Sequence, residues 1–169
     1  LDIFDRDGIS YKKEEKYLPL FVSGGLKPGT YPIRGDISSQ FITGLLFALP
    51  MLDGDSVIEI TTNLESKGYI DLTLDILSKF GIEIVNDNYQ RFYINGNQKF
   101  KPYDYEIEGD FSQSAFFLVA DMLGADINLK AMNLDSHQGD KKILKDIKDF
   151  GGKIINDGRT INIDRVSLH

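Results

Sequence analysis

Cysteine is absent from the 169-residue sequence, which excludes disulfides and thiolate metal sites. A basic excess is absent too. The formal net charge is −7, whereas a nucleic acid or a membrane surface would demand a patch of lysine and arginine. No apolar run approaches the roughly 18 residues of a membrane span, and no secretory signal is visible in this sequence, so none is expected. The first residue is Leu1 rather than methionine, so a piece of something longer is expected. What remains is 41% hydrophobic and 27% charged, the balance of a globular protein. The length suits one ordinary domain or two small ones.

Residues 1–8 read as the end of an element with a turn at Asp7-Gly8. Ile9 and Tyr11, then Leu18, Leu20 and Val22, alternate with other residues as strands do. The mixed-charge run from Lys12 to Lys16 between them reads as a solvated loop. After turn signals at Gly24-Gly25 and Pro28-Gly29, a strand is predicted over 30–34 and a helix over 37–49. Val57, Ile58 and Ile60 mark another strand. A second helix opens at Ser66-Lys67-Gly68-Tyr69 and carries Ile70, Leu74, Leu77 and Phe80 at helical spacing. Gly81 ends it as a left-handed cap. Ile82, Ile84 and Phe92, Ile94 flank Asp87-Asn88 as a hairpin. The order is β, α, β, α, β, β.

The same order then returns. Tyr105 and Ile107 lead to Gly109-Asp110, a helix runs through Phe116, Phe117, Val119 and Ala120, and a strand follows at Ile127 and Leu129. Ser136-His137-Gln138-Gly139-Asp140 opens a helix with Ile143, Leu144, Ile147 and Phe150. Gly151 closes it, and a hairpin runs through Ile154, Asp157-Gly158, Ile161 and Ile163. Gly35-Asp36 and Gly109-Asp110 lie 74 residues apart, Phe80-Gly81 and Phe150-Gly151 lie 70 apart. A repeat of this kind dictates architecture. One unit cannot bury its own faces, so units pack together, with helices expected inward and sheets outward.

Each repeat contains a polar corner between strand and helix. In the first, Gly35 permits a sharp exit from the strand, and Asp36 or Ser38 is placed to cap the helix. Ser38, Ser39 and Gln40 then crowd its N-terminus, where hydroxyl and amide donors join unpaired backbone N–H groups. Such a corner suits a phosphate or carboxylate. Converging helix starts, each carrying about half a positive charge, would let an acidic chain bind an anion.

Gly35-Asp36-x-Ser38-Ser39-Gln40-Phe41-x-Thr43, Ser66-Lys67 with Tyr69-Ile70-Asp71 and Thr73, Phe80-Gly81, Glu108-Gly109-Asp110 with Ser112 and Ser114, and Gln138-Gly139-Asp140 occur along nearly the whole chain. In these segments the sequence resembles the 5-enolpyruvylshikimate-3-phosphate (EPSP) synthase family. The resemblance implies an α/β (α+β) fold of repeated βαβαββ units, the inside-out α/β barrel of enolpyruvyl transferases, in two domains joined at a hinge. Residues 1–34 then correspond to the tail of one upper-domain unit, 35–108 to a complete upper-domain unit, and 109–169 to the first lower-domain unit, with the hinge near 108–109.

By the same resemblance, Ser38, Ser39 and Ser66 bind the phosphate of shikimate-3-phosphate, Gln40 contacts its ring and phosphoenolpyruvate, and Tyr69 lines the shikimate site. Lys67 and Asp110 are auxiliary candidates; Asp110, Ser112 and Ser114 read mainly as cap and hinge. Gly68 departs from the proline usual in the family, and Asp135 from a common asparagine. The implied activity is transfer of the enolpyruvyl group of phosphoenolpyruvate to the 5-hydroxyl of shikimate-3-phosphate, releasing phosphate, in chorismate and aromatic amino acid biosynthesis. It implies no cofactor and no metal, no nucleic-acid or membrane partner, a cytoplasmic setting and a full-length monomer, with self-association open to the shorter chain.

The family's acid–base Asp, Lys and Glu have no counterparts here. None of Arg6, Arg34, Arg91, Arg159 and Arg165 aligns with its phosphoenolpyruvate clamp. Asp140, Glu108 and His137 read as surface or capping residues, so the 169-residue chain is expected to be inactive by itself. UDP-N-acetylglucosamine enolpyruvyl transferase, which normally carries a reactive loop cysteine, and a non-catalytic anion-binding repeat module are the alternatives.

Overall fold

Ile9–Tyr11 and Leu20–Val22 fall at an antiparallel pair, β1 (Ser10–Lys13) and β2 (Leu20–Ser23), in a computed structural model that describes residues 2–13, 18–157 and 160–164. A short helix, α1 (Asp2–Asp7), precedes them. Lys12 and Lys13, expected in a loop, instead extend β1 opposite Phe21 and Leu20. Their side chains are exposed, and a strand edge satisfies their backbone without burying either charge. Glu14 to Lys16, Gly158, Arg159 and Arg165 lie outside the described residues.

Strand β3 (Thr30–Ile33) buries Tyr31 completely. It is followed by α2 (Ser39–Ala48), whose Ile42, Leu45 and Leu46 recur at helical spacing and face the core. Pro50 then lies in a single 3-10 turn, Leu49–Met51, because proline lacks the N–H that would continue the helix. Strand β4 (Ser56–Ile60), helix α3 (Lys67–Lys79) and the hairpin β5 (Ile84–Asp87) and β6 (Arg91–Ile94) complete the unit. The sheet order is β3-β4-β6-β5, with β3 parallel to β4 and the other pairs antiparallel. Ile58, Ile70, Leu77, Phe92 and Ile94 pack with Tyr31 and the α2 residues in one core. Gly81, at φ +80°, turns the chain out of α3 in the left-handed region that glycine adopts without a Cβ penalty.

The second unit repeats this plan. Helix α4 (Phe111–Met122), strand β7 (Leu129–Lys130), a 3-10 turn at Gly139–Lys142 running into α5 (Ile143–Asp149), and the hairpin β8 (Lys153–Asn156) and β9 (Thr160–Asp164) follow in order. Its sheet order, β7-β9-β8, matches β4-β6-β5 of the first unit in both sequence and antiparallel sense. Phe111, Leu118, Leu144, Ile147, Ile161 and Ile163 form its core.

One expected element is missing from the second copy. Residues 101–110 adopt no regular structure, although Tyr105 and Ile107 were expected to continue the repeat as a strand. The strand that would template it, β7, has only two residues, Ile107 is 81% exposed, and Gly109 N donates one bond to the Ala131 carbonyl at 2.6 Å. A strand without a buried face has little to hold it. The chain divides into two compact units, Leu1–Tyr103 and Asp104–His169, and none of the described sheets closes into a barrel.

Candidate functional site

Parallel strands place the candidate residues. Because β3 and β4 run side by side in the same direction, with Ile33 opposite Ile60, the chain leaves both at the same edge of the sheet. Each exit leads into a helix, α2 from one and α3 from the other. The helices touch along their flanks: the Thr43 and Thr73 hydroxyls lie 3.2 Å apart, and Thr73 also donates to the Tyr69 carbonyl at 2.8 Å.

Ser38 is the N-cap of α2. Its backbone is extended (φ −164°) and its Oγ accepts the Gln40 N–H at 3.2 Å. Asp36, the other capping candidate, is engaged elsewhere. Arg34 grips it with two bonds, Nε to Oδ1 at 3.0 Å and Nη2 to Oδ2 at 2.7 Å, and the Thr62 hydroxyl donates to Oδ1 at 2.8 Å. The Arg34 bond, aided by that of Thr62, holds the Asp36 carboxyl well below the usual carboxylate range. Ser38 and Ser39 are half-buried, and Gln40 is exposed.

Ser66, the N-cap of α3, adopts φ +56° and makes no side-chain cap bond. For a residue with a Cβ the left-handed region costs about 1–2 kcal/mol, and strain of this kind concentrates at ligand sites. The residue is exposed, and its hydroxyl does not cap the helix. The Tyr69 N–H donates to the Ser66 carbonyl at 3.1 Å, and Tyr69 is 45% exposed. Lys67 lies with Nζ 4.8 Å from the centre of the Tyr89 ring, a cation–π arrangement. The Tyr89 hydroxyl in turn donates to Asp71 at 2.7 Å.

The two helix starts border different hollows. Gln40 lines an apolar cleft of about 720 Å³ with Ile37, Phe41, Pro32 and Arg34. Lys67 lines a polar cleft of about 580 Å³ with Thr62, Asn63, Tyr89 and Arg91. Ser38, Ser39, Ser66 and Tyr69 line neither. What the fold brings together is the pair of helix starts, with hydroxyls and backbone N–H groups on one sheet edge.

The second corner is built otherwise. Asp110 caps α4, accepting the Ser112 N–H at 2.7 Å and the Gln113 N–H at 3.4 Å. The residue two before it is Glu108, not an arginine, and the Asp110 carboxylate stays on its own helix. Ser114 is buried with its hydroxyl 3.3 Å from the Met132 sulfur. Glu108 accepts from the Asn133 amide at 2.7 Å, the Gln138 amide at 2.8 Å and the Ser136 hydroxyl. Gln138 also bonds the Gly109 carbonyl (2.9 Å) and the Phe111 N–H (2.8 Å), so this one residue of the Gln138-Gly139-Asp140 motif latches the corner. His137 and Asp140 are exposed.

Sequence reading passed over Thr62 and Tyr89. The closeness of Arg34 and Asp36 in sequence was an available signal, since opposite charges two residues apart across the turn after β3 can reach each other. Arg6 and Arg91 bond Asp7 and Glu59 at 2.6 and 2.7 Å. Among the described residues no cluster of His, Asp and Glu is placed to hold a metal, and no helix is long and apolar enough to cross a membrane.

Two solved structures of EPSP synthase from Acinetobacter baumannii match 96% of this chain at a TM-score of 0.66 and 20% identity, and the chain covers 37% and 38% of them. The architecture is therefore the α/β fold of EPSP synthases. The sequence narrows this further. A family model, EPSP synthase (3-phosphoshikimate 1-carboxyvinyltransferase), matches residues 7–169. The 3-phosphoshikimate 1-carboxyvinyltransferase of Clostridium novyi (strain NT) is 54% identical over 153 residues, 90% of this chain and 35% of the relative. That of Clostridium botulinum (strain Alaska E43 / Type E3) is 53% identical over 168 residues, 99% of this chain and 39% of the relative. The chain belongs to the EPSP synthase family, and the UDP-N-acetylglucosamine alternative gives way. It spans 35% to 39% of the length of these curated relatives.

Proposed function

We propose that this chain forms the shikimate-3-phosphate-binding part of a 3-phosphoshikimate 1-carboxyvinyltransferase. Ser38, Ser39 and Ser66 donate to the phosphate, Gln40 bridges the shikimate ring and phosphoenolpyruvate, and Tyr69 lines the ring. Lys67 adds positive charge beside the phosphate, and Asp110 serves as a cap. Residues 1–34 act as the tail of one upper-domain unit, 35–108 as a complete one, and 109–169 as the first lower-domain unit, with the crossing at 108–109.

The observation that carries this reading is the pairing of two helix starts on one sheet edge, where the strained Ser66 presents a hydroxyl that the helix does not use. Hydroxyls and N–H groups donate well to phosphate oxygens, and helix starts favour negative charge. Enolpyruvyl transfer further needs a proton donor at the enol methylene, attack by the 5-hydroxyl, and cations on the phosphate and carboxylate as phosphate departs. Glu108 is committed to Asn133, Ser136 and Gln138, and Arg6, Arg34 and Arg91 to carboxylates. The acid–base step is therefore assigned outside this chain.

The whole enzyme is proposed to act as a monomer in the cytoplasm. Exposed Phe116, Phe117 and Leu123 favour self-association of the shorter chain. Two measurements test the proposal. With both substrates present, phosphate release should stay at background; turnover comparable to that of the longer relatives would refute the assignment of the chemistry elsewhere. Shikimate-3-phosphate should shift backbone amides of 38–40 and 66–69, and shifts confined to other residues would remove the site.

A further inference from the structure

Arg34, Asp36 and Thr62 are not among the residues assigned to substrate, yet their hydrogen bonds join the segment leading into α2 to the segment leading into α3. We infer that they form a positioning device that fixes the start of α2 against the start of α3, so that Ser38–Gln40 and Ser66–Tyr69 meet one ligand together. The inference rests on the shikimate-3-phosphate reading given above.

The hydrogen bonds impose their own direction. Thr62 Oγ1 has a single proton and gives it to Asp36 Oδ1 at 2.8 Å, since an ionised carboxylate can only accept. Thr62 Oγ1 itself then accepts the Gly35 N–H at 3.0 Å. Arg34 holds the carboxylate from the other side with a two-pronged contact, which fixes the plane of the group as well as its position. On the opposite face of the Gly35 residue, its carbonyl accepts the Glu65 N–H at 3.1 Å. Gly35 is thus bonded through both backbone groups to the segment leading into α3.

There is no slack in this contact. A Cβ on Gly35 would lie 2.8 Å from Leu64 Cα and 2.9 Å from Ile60 Cγ2. Ser38 follows Gly35 by three residues, and Ser66 directly follows Glu65. Any shift of one segment along the other would therefore be passed to both helix starts.

Charge gives a second reason for the arginine. A lone carboxylate two residues before Ser38 would repel a phosphate, and the guanidinium of Arg34 cancels it where it stands. The cluster is solvent-exposed, with Arg34 60% and Asp36 31% accessible at the side chain. Exposed ion pairs contribute little to stability, so its geometric consequence is the more important one.

Shikimate-3-phosphate titrated into the chain, with amide shifts read residue by residue, tests the inference. Thr62→Val removes both Thr62 bonds and should weaken binding about tenfold, with the shifts at 66–69 falling out of step with those at 38–40. Thr62→Ser keeps the hydroxyl and should bind within about twofold of the original chain. Thermal midpoints are measured in parallel, because a purely structural Thr62 would lower the midpoint and leave the affinity of the folded chain unchanged. Arg34→Gln, at an exposed position, is the second variant and decides the matter if Thr62→Val does not fold; it too should weaken binding. Binding of the original strength in both Thr62→Val and Arg34→Gln, or in Arg34→Gln when Thr62→Val is unfolded, overturns the inference and leaves the proposed function standing. If the unsubstituted chain shows no shifts at either helix start, the proposed function falls and the inference falls with it.

Discussion

The Asp121 carboxylate on α4 accepts the Ile163 N–H of β9 at 2.5 Å with one oxygen, and the Ile127 N–H at 2.8 Å with the other. The residue is only 4% exposed, and its buried bond to Ile163 ties helix to sheet across 42 positions of sequence. Asp121→Ala leaves the Ile163 amide unpaired in the interior and the half-buried Ile127 amide without its carboxylate. It should destabilise the second unit by about 3 kcal/mol. Hydrogen exchange should accelerate at Ile127 and Ile163 while amides of the first unit keep their protection. Unchanged exchange at Ile163 would show that the carboxylate contributes nothing there.

A second buried carboxylate makes the first unit sensitive to acid. Asp7 is 4% exposed and accepts from Arg6 Nε at 2.6 Å, Lys27 N at 3.0 Å and the Tyr31 hydroxyl at 3.1 Å. The Arg6 bond is the main cause that lowers its pKa; burial opposes it, and the Lys27 and Tyr31 bonds assist. A carboxyl with a lowered folded value stabilises fully above its unfolded value, about 3.9, and loses that contribution as pH falls toward the folded value. Asp7→Asn should therefore cost about 1–2 kcal/mol at neutral pH. Urea unfolding of both proteins should show the gap shrinking as the pH falls below about 4. A gap that stays constant down the acid limb would mean that the ionised form carries no advantage.

Much of this fold is written in apolar spacing. Leu45 and Leu46 on α2, Ile70 and Leu77 on α3, and the alternation of Phe92 and Ile94 lie where periodicity puts them, because each periodicity has one face that must be buried. Gly81 and Gly151 end their helices at φ +80° and +90°, as a glycine after the last apolar position announces. Polar partnerships were harder to read. Asp36 and Asp110 occupy equivalent Gly-Asp corners, but one answers to Arg34 and Thr62 and the other to its own helix. Thr62 is 26 residues from Asp36 in sequence, and only the parallel pairing of β3 with β4 joins them. The missing strand before Gly109 is a loss of pairing partner, which the alternation of Tyr105 and Ile107 does not reveal. The left-handed Ser66 was equally hidden, since nothing in Glu65-Ser66-Lys67 requires a positive φ.

Glycines in and beside α2 should respond to the same substitution with opposite signs. Gly35→Ala drives a methyl group against Leu64 Cα and Ile60 Cγ2; the first is backbone and cannot turn aside, so a loss of about 1–3 kcal/mol is expected. Gly44 lies inside α2 with nothing within 4 Å of an added Cβ. Gly44→Ala should raise stability by about 1 kcal/mol, the helix-propensity difference. Thermal unfolding of the two variants side by side checks both. If Gly35→Ala is neutral, the contact between the β3–α2 corner and the 60–64 segment is looser than its geometry indicates.

The serine at the start of α3 should separate stability from binding. Ser66 occupies φ +56° and its hydroxyl caps nothing, so the helix has no use for a side chain there. Ser66→Gly removes the left-handed penalty and should stabilise the chain by about 1 kcal/mol. Ser66→Ala retains that penalty and should leave stability near its original value. Both variants lose a phosphate donor, so both should bind shikimate-3-phosphate more weakly by a similar factor, despite their different melting temperatures. Ser38→Ala supplies the contrast, because its Oγ holds the Gln40 N–H and its loss should cost about 1 kcal/mol of helix stability together with affinity. A Ser66→Gly chain that is both more stable and undiminished in binding would mean that the strained conformation serves some purpose other than presenting the hydroxyl to phosphate.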